Sequence, residues 1–285
     1  MGTKAARKAT PDVIQIKPTR MDFAFDANKV PDHWAFNDPF STHFMGTLST
    51  LFPVGERFFV DSVRALREHA GENVTAKDIS GFIGQEAMHS LEHVSMNNML
   101  AAKGLPALRA EKFTLGLLNL GRRILTKRQQ LAVTVALEHF TGIIANRLLT
   151  DTDTMNNLAD EMRPIWMWHA IEETEHKAVA FDLYKQVPGN NYAERVVAQV
   201  LATVILAAVV SAFQLQFMAR DKQLFNLRSW AFGLNKLFGR NGILSGLTRE
   251  YLDFFKPDFH PWDHENSALV AYWREKLEGE VAKAA

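Results

Sequence analysis

Two stretches of helical pattern each carry a Glu-x-x-His pair, Glu86-Ala87-Met88-His89 and Glu173-Thr174-Glu175-His176. Residues i and i+3 of a helix project from one face about one turn apart, so a carboxylate and an imidazole at this spacing can grip one metal ion. Two such helices set face to face can hold two ions. A chain that uses both pairs must bring two helices, distant in sequence, together around a polar centre within an apolar core. One pair alone says little, because Glu and His fall at this spacing by chance in many helical chains.

The ordered set says more. Ahead of each pair, a helical stripe places a glutamate among apolar neighbours: Glu56 beside Phe52, Phe59 and Val63, and Glu138 beside Leu131, Val135 and Leu149. A carboxylate on a buried stripe is costly unless it is paired, protonated or bound to metal. One Glu from each of two helices and one Glu-x-x-His from each of the other two is the ligand pattern of di-iron carboxylate four-helix bundles. The intervals agree. Glu56 to Glu86 and Glu138 to Glu173 are each a hairpin's length, while Glu86 to Glu138 is longer, as a single crossover requires. In the competing reading, Glu56 and Glu138 sit at stripe edges and reach solvent, and the two pairs are surface ion pairs.

The rest of the chain fits this frame. Helices are expected at about 53–70, from Thr75 to Gly104, from Thr126 to about 149, and at 164–187 before Pro188 and Gly189; Thr75 with Asp78 and Thr126 with Gln129 resemble capping boxes. No alternating run supports a strand. The expected fold is all-α: a ferritin-like four-helix bundle over 41–190, preceded by an extended N-terminal arm at 1–40 and followed by additional C-terminal helices over 191–285. Pro11, Pro18, Pro31 and Pro39 argue against a long helix in the arm. The apolar stretch 196–218 is long enough to span a bilayer, but a helix packed on the bundle or lying at a membrane surface is the preferred reading. Helical patterns continue through 225–256, broken by glycines, and a last helix is expected at about 266–283.

Composition narrows the chemistry. The 285 residues include no cysteine, which excludes disulfides, thiolate clusters and cysteine nucleophiles and leaves any metal to His and carboxylate. Two iron ions are expected, with manganese or zinc as alternatives. Net charge is zero, so no nucleic-acid partner is expected. The basic, polar residues 1–20 carry no secretion signal, and the expected location is cytoplasmic, free or at the inner face of the membrane.

The metal-ligand set expected from the sequence is Glu56, Glu86, His89, Glu138, Glu173 and His176. His93, four residues after His89, and His169, four before Glu173, lie near the same side as extra ligands or proton carriers, although a supporting role is favoured for both. Glu92, Glu172 and Asp182 are candidates for orienting the ligand imidazoles. His139 points about 100° from Glu138 and is not expected to be a ligand. Tyr184 is read as a core aromatic rather than a redox partner.

The segments Phe82–His89, Ala136–Phe140 and Trp168–Lys177 resemble a bacterial family of predicted metal-dependent hydrolases, and Phe255–Trp262 is similar to that family's C-terminal signature, the resemblance covering roughly 40–275. The family name implies hydrolysis. The ligand arrangement is instead similar to ferritin-like di-iron oxidases and oxygenases. The expected function is therefore oxidation, with O2, of an apolar substrate such as an acyl chain, since Phe58, Phe59, Met96, Met99, Trp166 and Trp168 suit an apolar channel. A dinuclear hydrolase is the alternative and non-catalytic iron binding a second one. Peripheral membrane contact and a homodimer are both compatible with the sequence.

Overall fold

The computed structural model describes residues 9–284, and every regular element among them is helical. The order is α1 (Pro39–Arg64), α2 (Ala76–Ala102), α3 (Ala107–Ile124), α4 (Lys127–Thr150), a short α5 (Thr152–Asn156), α6 (Arg163–His176), α7 (Val179–Gln186), α8 (Tyr192–Arg220), α9 (Leu227–Phe238), the short α10 (Ile243–Gly246) and α11 (Thr248–Asp253), and α12 (Ser267–Ala284). Helix starts follow local chemistry. Thr75 with Asp78 and Thr126 with Gln129 form reciprocal capping boxes, and Asp38 and Asn191 cap α1 and α8. Gly104, at φ +82°, turns the chain out of α2.

Helices α1, α2, α4 and the α6–α7 pair enclose the core: α1 packs on α2, α4 on α6 and α7, and the α1–α4 and α2–α6 contacts close the ring. The additional C-terminal helices lie outside it. α8 runs along α4 and α1, and α12 packs on α6. Among the described residues α8 is the one helix long and apolar enough to cross a membrane, judged by length and composition.

Several expectations are corrected. The first helix begins at Pro39, fourteen residues before Pro53, and Pro53 lies inside it. A proline interrupts a helix partly because the carbonyl four residues back loses its donor. Here that carbonyl belongs to Ser49, and the Asn97 side chain donates to it at 3.1 Å. The same helix stops at Arg64, and only a 3-10 turn, Arg67–His69, continues it. The long crossover holds a full helix, α3, for which no separate helix is expected from the sequence. The fourth helix is broken directly after His176. Lys177 turns out of it to donate to the His264 carbonyl (2.7 Å) and Asn266 (2.8 Å), with its ammonium 3.8 Å from the centre of the Trp262 ring. The segment Phe255–Trp262 thereby packs beside the break.

Residues 1–8 of the expected arm lie outside the described residues; from residue 9 the arm contains no helix before Pro39 and is firmly seated, with Ile16, Val30, Trp34 and Ala35 buried. His33 from the arm and His43 from α1 both reach the Asp221 carboxylate at 2.8 Å, tying arm, bundle and the end of α8 together.

Candidate metal centre

All six residues of the expected ligand set are buried, none more than 3% exposed, which removes the solvent-edge alternative. They converge, with one addition, in two adjoining groups: Glu86, Glu138, Glu173 and His176, and Glu56, His89 and His169. Within each group one ligand atom per residue lies within 4.8 Å of all the others. Two carboxylates connect the groups. Glu173 Oε1 lies 2.9 Å from His169 Nε2 and 3.6 Å from His89 Nδ1, while its Oε2 lies 3.7 Å from His176 Nε2. Glu86 Oε1 is 3.0 Å from His176 Nε2 and 3.8 Å from His89 Nδ1. Each connecting carboxylate is the Glu of a Glu-x-x-His pair, so the helical spacing that sets a glutamate and a histidine on one face also places the glutamate between the two groups.

His169 converges with the candidate ligands and His93 does not. A chain of hydrogen bonds fixes their roles. Asn97 donates its amide N–H to the Ser49 carbonyl, which leaves its oxygen to accept from Ser49 Oγ at 2.8 Å. The Ser49 hydroxyl has then spent its proton and accepts from His93 Nδ1 at 2.9 Å. Burial, reinforced by His169 and His89, holds His93 far below its ordinary pKa, so it is neutral and its bare Nε2 accepts from His169 Nδ1 at 2.6 Å. His169 is neutral too, lowered to about 4 by burial and then by His89. Its Nε2 lone pair therefore faces the Glu173 oxygen 2.9 Å away. Two lone pairs at that separation repel unless a cation lies between them.

A second chain fixes His176. Gln85 donates to the Lys17 carbonyl and to Glu175, and its oxygen accepts from His176 Nδ1 at 3.0 Å, which directs Nε2 at the carboxylates. Arg274 from α12 clamps Glu175 through both of its oxygens, at 2.7 and 2.9 Å. Glu172 behaves as expected: it lies 3.2 Å from His89 Nε2 and is itself held by Trp168 Nε1 at 3.0 Å. The other two candidate orienters do other work. Glu92 accepts the backbone N–H groups of Asp22 and Phe23 and anchors the arm, and Asp182 pairs with His260 at 3.0 Å. His139 packs against Phe254 and Phe259, away from both groups, as expected. Tyr184 is buried, and its hydroxyl bonds Asn191 and Glu194 at the turn into α8.

Gln85, Ser49, Asn97 and Arg274 are supporting residues that the sequence reading did not identify. A signal existed for two of them: Gln85, His89, His93 and Asn97 recur every four residues along α2, and all four are fully buried.

The donor set fits two divalent ions. Both carboxylate oxygens of Glu56, Glu86 and Glu138, together with His176 Nε2, have no hydrogen-bond partner although buried. Burial, followed by the Glu86 charge, pushes Glu56 and Glu138 well above the ordinary carboxylate range. For Glu173, burial acts upward too, but the surrounding imidazoles of His169, His176 and His89 outweigh it and hold the group well below that range. Four carboxylates with three neutral imidazoles carry a formal charge of −4, which two divalent cations balance. Without cations the same pocket must take up protons.

An apolar chamber of about 720 Å³ reaches this centre. Glu56, His169 and Glu173 contribute to its lining, and the remaining surface comes mainly from apolar side chains of α1, α3, α4, α6 and α8, including Phe44, Leu48, Phe52, Leu118, Val133 and Leu201.

No curated protein and no solved structure matches this chain. A buried Glu/His centre built from the segments that carry the sequence motifs is what a metal-dependent protein requires, and the family described as predicted metal-dependent hydrolase matches residues 17–265, so the chain belongs to that family.

Proposed function

We propose that this chain is a dinuclear metal enzyme that uses O2 to oxidise an apolar substrate held in the chamber. The observation that carries the reading is the junction of the chamber with the carboxylate–imidazole centre: the floor presents Glu56, His169 and Glu173, and the walls are largely apolar. Two iron ions bound here would supply a redox-active pair able to activate dioxygen.

The chain's own residues would do the rest. Glu56, Glu86, His89, Glu138, His169, Glu173 and His176 would hold the ions, with Glu86 and Glu173 belonging to the surroundings of both groups. The Gln85 and His93 hydrogen bonds keep His176 and His169 in the tautomer that offers Nε2. The Asn97–Ser49–His93–His169 chain ends at a fully buried amide, so it positions His169 and does not conduct protons from solvent. Apolar walls exclude water and hold an acyl-like chain by burial.

The alternative reading, hydrolysis by a metal-activated hydroxide, is the one that the description of the family favours; the comparisons add no support for oxidation. Protein loaded with Fe(II) without oxygen and then exposed to air separates the two. O2 uptake stimulated by a long-chain acyl compound is the expected result. Ester cleavage with zinc or manganese under nitrogen, with no O2 uptake by the iron form, would overturn the oxidative reading in favour of hydrolysis.

A further inference from the structure

The large apolar residues that line the chamber and are also exposed lie on α3, at Leu120 and Ile124, and on α8, at Val197, Leu201 and Ile205, so we place its mouth between these two helices. α8 carries no charged residue from Val196 to Ala219, about 36 Å of helix at 1.5 Å per residue. Only 28% of its most apolar 18-residue window is buried. Val200 and Val204 are 46% and 63% exposed, and Leu201 and Ile205, which line the chamber, are 56% and 45% exposed. On α3, Phe113, Leu120 and Ile124 are each more than half exposed, and the Phe113 ring packs edge-on against Phe213 of α8, with ring centres 5.6 Å apart. A water-facing surface of this kind marks an interaction site.

Charge indicates what covers it. On an α-helix Phe113, Leu120 and Ile124 fall within an arc of about 40°, and Arg109, Lys112 and Arg123, all exposed, occupy the adjoining arc about 40–100° further round. The one acidic residue of α3, Glu111, is engaged with Arg57 at 3.4 Å. An apolar strip flanked by cations with long stems suits an anionic lipid surface, where the stems lie along the acyl boundary and the heads reach phosphate. A second copy of this chain is a poorer occupant, since a twofold contact would bring the two basic strips together and seal the chamber mouth.

We propose that α3 and α8 dock peripherally on a bilayer containing anionic lipid, with the chamber mouth against the acyl region, so that an apolar substrate enters from the lipid without passing through water. The substrate half of this statement rests on the oxidative or hydrolytic use of the chamber proposed above; the docking half does not.

Flotation of the full-length, metal-loaded protein with phosphatidylcholine vesicles, with and without phosphatidylglycerol, is the test. Docking gives flotation with the anionic vesicles, loss at high salt, and release by alkaline carbonate. The triple variant Arg109→Gln, Lys112→Gln, Arg123→Gln lowers the partition coefficient roughly a hundred-fold, at about five-fold per basic residue. The double variant Val200→Glu, Val204→Glu abolishes flotation even at low salt. Both variants alter exposed positions, and an unchanged thermal melt identifies them as folded. The proposal is overturned by three results: no flotation of the wild type, flotation insensitive to both variants, or resistance to carbonate, which would mark α8 as an embedded span. A stable dimer that buries α8 and ignores vesicles would assign the face to a second copy. Flotation needs no turnover, so its failure leaves the chemistry of the centre untouched, and absence of turnover leaves flotation unaffected.

Discussion

Replacing Glu138 with methionine should move stability in opposite directions with and without metal. Glu138 is 2% exposed, and neither of its oxygens has a hydrogen-bond partner. Burial and the Glu86 charge both raise its pKa, so in metal-free protein the group is driven toward its neutral form and stays unsatisfied. A buried polar group in that condition costs about 1–3 kcal/mol. Methionine has a similar unbranched shape and needs no partner. At about 2 °C per kcal/mol for a chain of this size, metal-free Glu138→Met should melt about 2–6 °C above metal-free wild type. Metal reverses the order. An ion at a thousand times its Kd stabilises the folded state by about 4 kcal/mol per site, and the variant loses one of the four ligands of its group. Calorimetry of chelator-treated and metal-loaded protein, with bound metal measured alongside, reads both effects. The reasoning is refuted if the metal-free variant melts several degrees below metal-free wild type, because Glu138 would then be making a stabilising interaction in the absence of any ion.

Three further outcomes follow from the same geometry. Gln85→Leu removes the acceptor for His176 Nδ1 and should weaken metal binding about 10–100-fold, measured by competition with a chromogenic chelator. Metal binding should release protons at neutral pH. Burial raises Glu56 and Glu138, and His89 is raised to about 10, burial being outweighed there by Glu172 and Glu173, so protons compete with an ion for all three groups. Affinity therefore rises with pH, and calorimetric titrations in buffers of different ionisation enthalpy should report a positive proton count. Gly55→Leu should fill the chamber next to Glu56, since a Cβ there meets nothing nearer than Phe59 Cζ at 4.0 Å. Binding of a fluorescent fatty acid should fall while metal content stays at the wild-type value.

What the sequence made legible was whatever a single helix determines. The i, i+3 pairs, the two glutamates on apolar stripes and the two capping boxes are properties of one helix each, and all appear where their spacing puts them. What it hid depends on contacts between helices. Pro53 reads as a helix start because a proline leaves one carbonyl without a donor, and the donor that replaces it, Asn97, comes from another helix 44 positions later. His93 and His169 look equivalent by spacing. Only the path through Ser49 and Asn97 shows that one supports and the other points at the carboxylates. α3 is weakened as a sequence signal by Gly116 and Gly121, and much of its apolar face is exposed and not packed on the core.

That last failure points to the function. A helix evolved only to cover a core would turn its polar side outward, and α3 and α8 do so least where the chamber opens between them. Exposed apolar residues of the two helices, Leu120 and Ile124 of α3 and Leu201 and Ile205 of α8, line the same chamber as Glu56, His169 and Glu173. A centre acting as proposed would need water excluded on its substrate side and a precise polar scaffold on the other. The chain separates the two demands by helix. α2 and α6 carry the buried hydrogen-bond chains through Gln85, His93 and Glu172, and α3 and α8 supply an apolar mouth that contributes no ligand. Changes at the mouth should therefore alter which substrate arrives and how fast, leaving metal content and the tautomers of His169 and His176 as they are.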